Sequence, residues 1–250
     1  MKKENIVKSK IRSGQASLGG WCLSGSVAMA EIMAMSGFDW VCVDMEHSVT
    51  TTETLINLII GIENKGADPF VRLAVNEEKE FKKALDAGAT GVVVPMVKSK
   101  HDVERAVSYA KYSPIGSRSF ALPRATGYGK YSDIYFKKAN DLTLLAIMIE
   151  HIDAVNDLDK ILSNQYVDTI FIGPYDLSGS MGIPGDFGNQ DFKKVMNEIK
   201  AKAKKYQIAL GLHELTPTRV KIQDYIKDGF QFIACSMDTN LVSSAIEEFL

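Results

Sequence analysis

Apolar and polar positions along this chain follow two rhythms that alternate from one end to the other. Short apolar runs rich in β-branched residues are each succeeded by a stretch with helical spacing. The runs predict strands over 18–23, 39–45, 70–75, 91–97, 143–150, 167–173, 208–212 and 230–237. The stretches predict helices over 27–36, 52–64, 77–87, 101–109, 152–162, 191–205, 218–227 and 241–250, with a short extra helix at 132–138. Runs that are apolar on both faces belong to a buried parallel sheet. Thr52-Glu53 at a helix start, and Gly37, Gly66 and Gly88 just past helix ends, punctuate the pattern. Eight strand–helix units in 250 residues fit a single (β/α)8 barrel domain over 1–250, and no linker-like or low-complexity stretch divides the chain. A doubly wound sheet shares this alternation, because a count of units does not show closure.

Parallel strands deliver their carboxyl ends to one edge, where ligands bind in α/β folds. Read in order, that edge receives Trp21, then Asp44, Glu46 and His47, then Arg72, the Pro95-Met96-Val97 turn, Glu150, Asp176, His213 with Glu214, and Asp238. The runs TLLAIMIE and DTIFIGPYD both end on an acid, Glu150 and Asp176. Two carboxylates from neighbouring strands form an oxygen-rich pair suited to a hard divalent cation. The alternative is that each faces a helix amino terminus. His47 follows its strand closely with Asp44 nearby to orient the ring, which suits acid/base work, against the alternative of a solvated loop histidine. Arg72 sits in an apolar strand and needs an anion, for which Glu46 and Asp86 are candidates. Glu214 and Asp238 read as solvated loop acids. Residues 113–130, rich in Gly, Pro, Arg and Tyr, exceed the usual connection length and read as a functional loop.

Composition narrows the classes. A net charge of -2 argues against nucleic acid as partner, and no apolar run approaches a membrane span. The amino-terminal MKKENIVKSKIRSGQ lacks the apolar core of a secretory signal. Cys22, Cys42 and Cys235 each fall in a predicted strand without metal-ligand spacing, which reads as buried free thiols in a reducing compartment and a cytoplasmic enzyme. Strands five and six contain no lysine for a Schiff base, Lys98 being the only near candidate. The turns HELTP and SMDTN lack the glycines of a phosphate site, and no GxGxxG follows any strand.

The strings WCLSGS, DWVCVDMEHS, PFVRLAVNE, LLAIMIEHIDAV and IFIGPYDLSGSMGIPG, in this order over nearly the whole chain, resemble the HpcH/HpaI family of class II, metal-dependent 2-oxo-acid aldolases. The resemblance implies a carbon–carbon lyase that cleaves a 4-hydroxy-2-oxo acid, such as a 2-keto-3-deoxy acid or a 4-hydroxy-2-oxo-dioate, to pyruvate and an aldehyde. It implies that Glu150 and Asp176 hold Mg²⁺ or Mn²⁺, with Co²⁺ a further option. Arg72 would contact the keto oxygen, His47 with Asp44 would be the acid/base dyad, and Asp86 would orient the arginine. Backbone amides near Gly173, Pro174 and Tyr175 would hold the pyruvate carboxylate, and Trp21 would wall the pocket. Arg124, in the long loop with Arg118, would serve the aldehyde side across a subunit boundary. Met45 and Met148 depart from the glycine and glutamine that some members carry. The resemblance also implies exchange of the terminal helix between protomers and a hexamer built from dimers. Related barrels apply the same scaffold to an acyl-CoA thioester, as in citrate lyase β, or to phosphonopyruvate, and these are the alternative activities.

Overall fold

The computed structural model describes residues 4–250. The apolar runs form β1 (Ser17–Cys22), β2 (Trp40–Asp44), β3 (Asp68–Arg72), β4 (Gly91–Val94), β5 (Leu144–Ile149), β6 (Thr169–Ile172), β7 (Ala209–Glu214) and β8 (Phe230–Met237). They pair in parallel in sequence order, and β8 returns to β1 to close a barrel, which excludes the doubly wound sheet. Around it lie α1 (Ile6–Arg12), α2 (Val27–Met35), α3 (Thr52–Asn64), α4 (Glu78–Ala87), α5 (Lys100–Ala110), α6 (Ser132–Leu142), α7 (Ile152–Asn156), α8 (Leu158–Leu162), α9 (Pro174–Ser180), α10 (Gln190–Tyr206), α11 (Arg219–Lys227) and α12 (Asp238–Glu247).

The two-residue period of each strand sorts its side chains between two cores. Val41, Val43, Val71, Val92, Leu145 and Ile147 face the helices, whereas Trp40, Cys42, Phe70, Val93, Ala146 and Phe232 fill the barrel. Large rings need small neighbours inside so narrow a space. Trp40 stacks on Phe232 at 4.2 Å between ring centres, and a Cβ on Gly19 would lie 2.1 Å from the Trp40 ring. The same alternation carried to the carboxyl ends of the strands puts Trp21, Asp44, Arg72, Glu150 and His213 on the inward side, above this packed floor.

Four features depart from the sequence pattern. Helix α1 had no counterpart in it. This helix caps the amino-terminal end of the barrel, with Val7 and Ile11 joining the interior cluster and Lys8 Nζ reaching Asp168 at 2.9 Å and Thr143 O at 3.0 Å. The stretch 152–162 is two short helices, with Asp157 between them accepting from Lys100 N–H at 2.7 Å. Strand six stops at Ile172 because Pro174, preset for helical φ, occupies the first turn of α9. Asp176 therefore enters from a helix and not from a strand end. Finally, Asp238 is no solvated loop acid. It is 1% exposed, opens α12, and accepts from the Leu23 and Ser24 amides at 2.9 and 3.1 Å.

The three cysteines are buried and free, as expected. Among the described residues no helix is long and apolar enough to cross a membrane. The first three residues of the amino-terminal segment lie outside the described residues.

Candidate active site

Register between β2 and β3 sets Asp44 directly beside Arg72 on the inward face. The buried Asp44 carboxylate accepts from Arg72 Nε at 3.2 Å and from Arg72 Nη2, from Trp21 Nε1 at 3.0 Å, and from the amides of Glu46 and His47 at 2.9 Å each. Burial alone would raise this carboxyl, but the Arg72 hydrogen bonds and charge, with the His47 amide and Trp21, bring it below its usual range. Arg72 Nη1 meets Glu46 at 3.3 Å, and the guanidinium lies 5.2 Å from the centre of the Trp21 ring. The fork is thus locked in place beside the cavity that it lines.

Two sequence expectations fail here. Asp86 does not orient Arg72; it lies on the outer helix α4 and takes Arg118 at 2.7 Å. Nor does Asp44 orient the His47 imidazole, because its oxygens are already occupied by Arg72, Trp21 and the turn amides. His47 is 66% exposed at its side chain, with Glu46 the nearby acid at 3.8 Å. Of the two anions the sequence offered for Arg72, Glu46 and Asp86, Glu46 is the one that meets it.

Glu150 follows the last residue of β5 and is 3% exposed. Its Oε1 accepts from Met96 N–H at 2.5 Å, and Met96 adopts left-handed backbone (φ 53°) in the turn after β4. Nothing in the residue types of that turn announced this contact. Gly173 allows the close approach, since a Cβ there would lie 2.8 Å from Glu150 Cβ. Burial first, then the charges of Glu46 and Asp176, push the Glu150 carboxyl up to about 7, against the Met96 amide and Arg72. Glu150 and Asp176 border one cavity of about 640 Å³ with Met96, His151 and Tyr175. A buried acid destabilised by neighbouring acids is a donor set that suits a hard divalent cation. Among the described residues no three His, Cys, Asp or Glu side chains converge into a closed cage. The pair would therefore leave most of the coordination sphere to water and substrate.

A second cavity of about 650 Å³ adjoins it and shares Tyr175 and Asp176; Trp21, Arg72, Phe171, Gly173, Pro174 and His213 also line it. The turn at its edge differs in detail from expectation. Gly173 N–H donates to Ile149 O at 3.2 Å and Pro174 has no N–H, so the amides free of intrahelical partners begin at Tyr175. Arg124 is absent from both cavities. It lies at the amino-terminal end of the barrel, donating to Ala87 O at 2.9 Å and pairing with Glu63.

An inward arginine clamped by a strand-end aspartate, beside two acids from successive strand–helix units, agrees with the relationships of the whole chain. A family model described as HpcH/HpaI aldolase/citrate lyase matches residues 18–245. The chain belongs to that family. It is 34% identical over 241 residues to the 2-dehydro-3,6-dideoxy-6-sulfogluconate aldolase of Pseudomonas putida, covering 96% of this chain and 93% of the relative. It is 33% identical over 248 residues to the 2-keto-3-deoxy-L-rhamnonate aldolase of Klebsiella pneumoniae subsp. pneumoniae, covering 98% and 92%. The crystal structure of an HpcH/HpaI aldolase/citrate lyase family protein from Burkholderia cenocepacia J2315 superposes with a TM-score of 0.92 at 28% identity, over 98% of this chain and 97% of that one.

Proposed function

We propose that this member of the HpcH/HpaI family is a carbon–carbon lyase, a class II aldolase that cleaves a 2-keto-3-deoxy acid to pyruvate and an aldehyde. The observation that carries the reading is the buried Glu150, destabilised as an anion, facing the same cavity as Asp176 beside the Asp44-clamped Arg72. The aldolase names of relatives at 33–34% identity over nearly the full chain support it.

A divalent cation (Mg²⁺, Mn²⁺ or Co²⁺) held by Glu150 and Asp176 would supply Lewis acidity toward the oxygens of the 2-oxo acid. Arg72 places a fixed positive fork at the keto oxygen, where negative charge develops as the C3–C4 bond breaks. Asp44 and Glu46 hold that fork in one orientation. First-turn amides from Tyr175 onward donate to the substrate carboxylate. Trp21 and Phe171, ring centres 5.5 Å apart, form an apolar floor that limits water around the developing charge. His47, on the loop after β2, takes the proton from the 4-hydroxyl as base and returns it in the reverse direction.

The barrel over 1–250 acts as one domain in an assembly of copies. From Leu241 onward α12 is exposed, including Leu241, Val242 and Ile246 on its apolar side, so a second copy of the chain is its fitting partner. A hexamer built as a trimer of dimers, with exchanged terminal helices, satisfies this face. Arg124 can serve an aldehyde only in a neighbouring copy, since its own barrel separates it from its own site. Buried free thiols support a reducing, cytoplasmic setting.

Exchange of the pyruvate methyl protons in deuterated water, followed by NMR, tests the reading. Exchange that EDTA abolishes and a divalent ion restores is expected. Acetyl-CoA release from a thioester without any pyruvate exchange would overturn it in favour of a citrate-lyase-like activity.

A further inference from the structure

His213 takes no part in the reaction just described, yet it stands in the same layer. The inward positions of β7 are Ala209, Gly211 and His213, and the imidazole lies 5.1 Å from the Trp21 ring between centres. Its Nε2 is 3.1 Å from Ser236 O. A carbonyl can only accept, so Nε2 carries the proton and Nδ1 of the neutral ring presents a lone pair. The backbone builds this anchor deliberately. Ser236 has φ 63°, within the irregular pairing of β8 with β1 between Gly19 and Trp21, and its hydroxyl donates to Leu215 O at 2.8 Å. Burial first, and Arg72 as well, disfavour the imidazolium, so His213 falls to about 4 despite the Ser236 bond and Asp44. The folded site therefore favours the neutral ring. Nδ1 makes no hydrogen bond among the described residues, and His213 lines the cavity that holds Arg72 and Asp176.

A neutral acceptor beside Trp21, Leu215 and Met237 carries no charge to pair and suits an uncharged donor. The pyruvate half of a 2-keto-3-deoxy acid offers none, because its carboxylate and ketone only accept and its C3 carries no hydroxyl. The 4-hydroxyl gives up its proton during cleavage. We propose that His213 is a specificity-determining residue, whose Nδ1 accepts a hydrogen bond from a hydroxyl beyond C4 on the aldehyde-derived part of the substrate. This rests on the aldolase reading and narrows its substrate class to polyhydroxylated acids.

The test runs the reaction in the direction of condensation. Pyruvate is offered glycolaldehyde against acetaldehyde, and lactaldehyde against propionaldehyde, pairs that differ by one hydroxyl. The ratio of kcat/KM within each pair is compared between wild type, His213→Leu and His213→Asn, so that intrinsic aldehyde reactivity cancels. His213→Leu should lower the preference for the hydroxylated aldehyde about tenfold or more, and His213→Asn, with an amide near the δ position, should recover part of it. Equal ratios in all three proteins overturn the proposal, including the case where His213→Leu merely slows both aldehydes alike. Pyruvate methyl-proton exchange is read on the same samples. Its absence in the wild type would mean that the aldolase reading has failed, which is a separate result from unchanged ratios in an exchanging enzyme.

Discussion

Replacing Glu150 by Gln isolates the electrostatic penalty built into this site. Burial, with Glu46 and Asp176, moves the carboxyl from 4.5 up to about 7 in the folded chain. At about 1.4 kcal/mol per pH unit this amounts to about 3 kcal/mol. Because the folded chain holds the proton more tightly than the unfolded one, that stability is fully present below pH 4.5 and is lost as pH rises through about 7. Glutamine keeps a carbonyl for the Met96 amide but does not titrate. The gap in stability between Glu150→Gln and wild type, both metal-free, should therefore shift by about 3 kcal/mol in favour of the variant from about pH 4 to about pH 8. For a chain of this size that is roughly 6–12 °C in Tm. Thermal denaturation in EDTA across this pH range measures it. Adding Mg²⁺ or Mn²⁺ at the alkaline end should stabilise the wild type, by about 2.7 kcal/mol at a hundredfold excess over Kd, and leave the variant behind. A wild-type-to-variant gap that stays constant with pH would refute the view of Glu150 as an anion awaiting a cation.

Arg72→Lys should lose about 10²–10³ in kcat, because a point charge cannot grip both Asp44 oxygens and also meet the keto oxygen; a loss within tenfold in steady-state assays speaks against the fork. His47→Ala should lower the cleavage rate by about 10²–10⁴, and a loss smaller than tenfold would pass the role of base to solvent. The paired substitutions Leu241→Asp and Ile246→Asp should reduce the assembly mass in sedimentation while each barrel stays folded by circular dichroism. An unchanged mass would show that α12 is not the joint between copies.

The eight strands were legible in the sequence because burial on both sides of a parallel strand writes itself as an unbroken apolar run, whereas their closure into a ring was decided by the pairing of β8 with β1. Their position at the carboxyl ends of those runs also put Trp21, Asp44, Arg72 and Glu150 at one edge. A local pattern cannot say which of several nearby charges meet. Asp44 and Arg72 are paired by the β2–β3 register, and this contact takes the carboxylate that the sequence reading had assigned to the His47 ring. Asp86 goes to Arg118 and Arg124 to the opposite end of the barrel, because Asp86 ends a helix that runs back from the mouth to the start of β4, and Arg124 lies in the connection that leads to the start of β5. The Met96 amide on Glu150 and the Ser236 carbonyl on His213 depend on left-handed backbone at residues whose side chains give no sign of it. Strand periodicity is a property of neighbours along the chain and survives in one dimension. Ion pairs and backbone donors join residues brought close only when the barrel closes, so they belong to the tertiary structure alone.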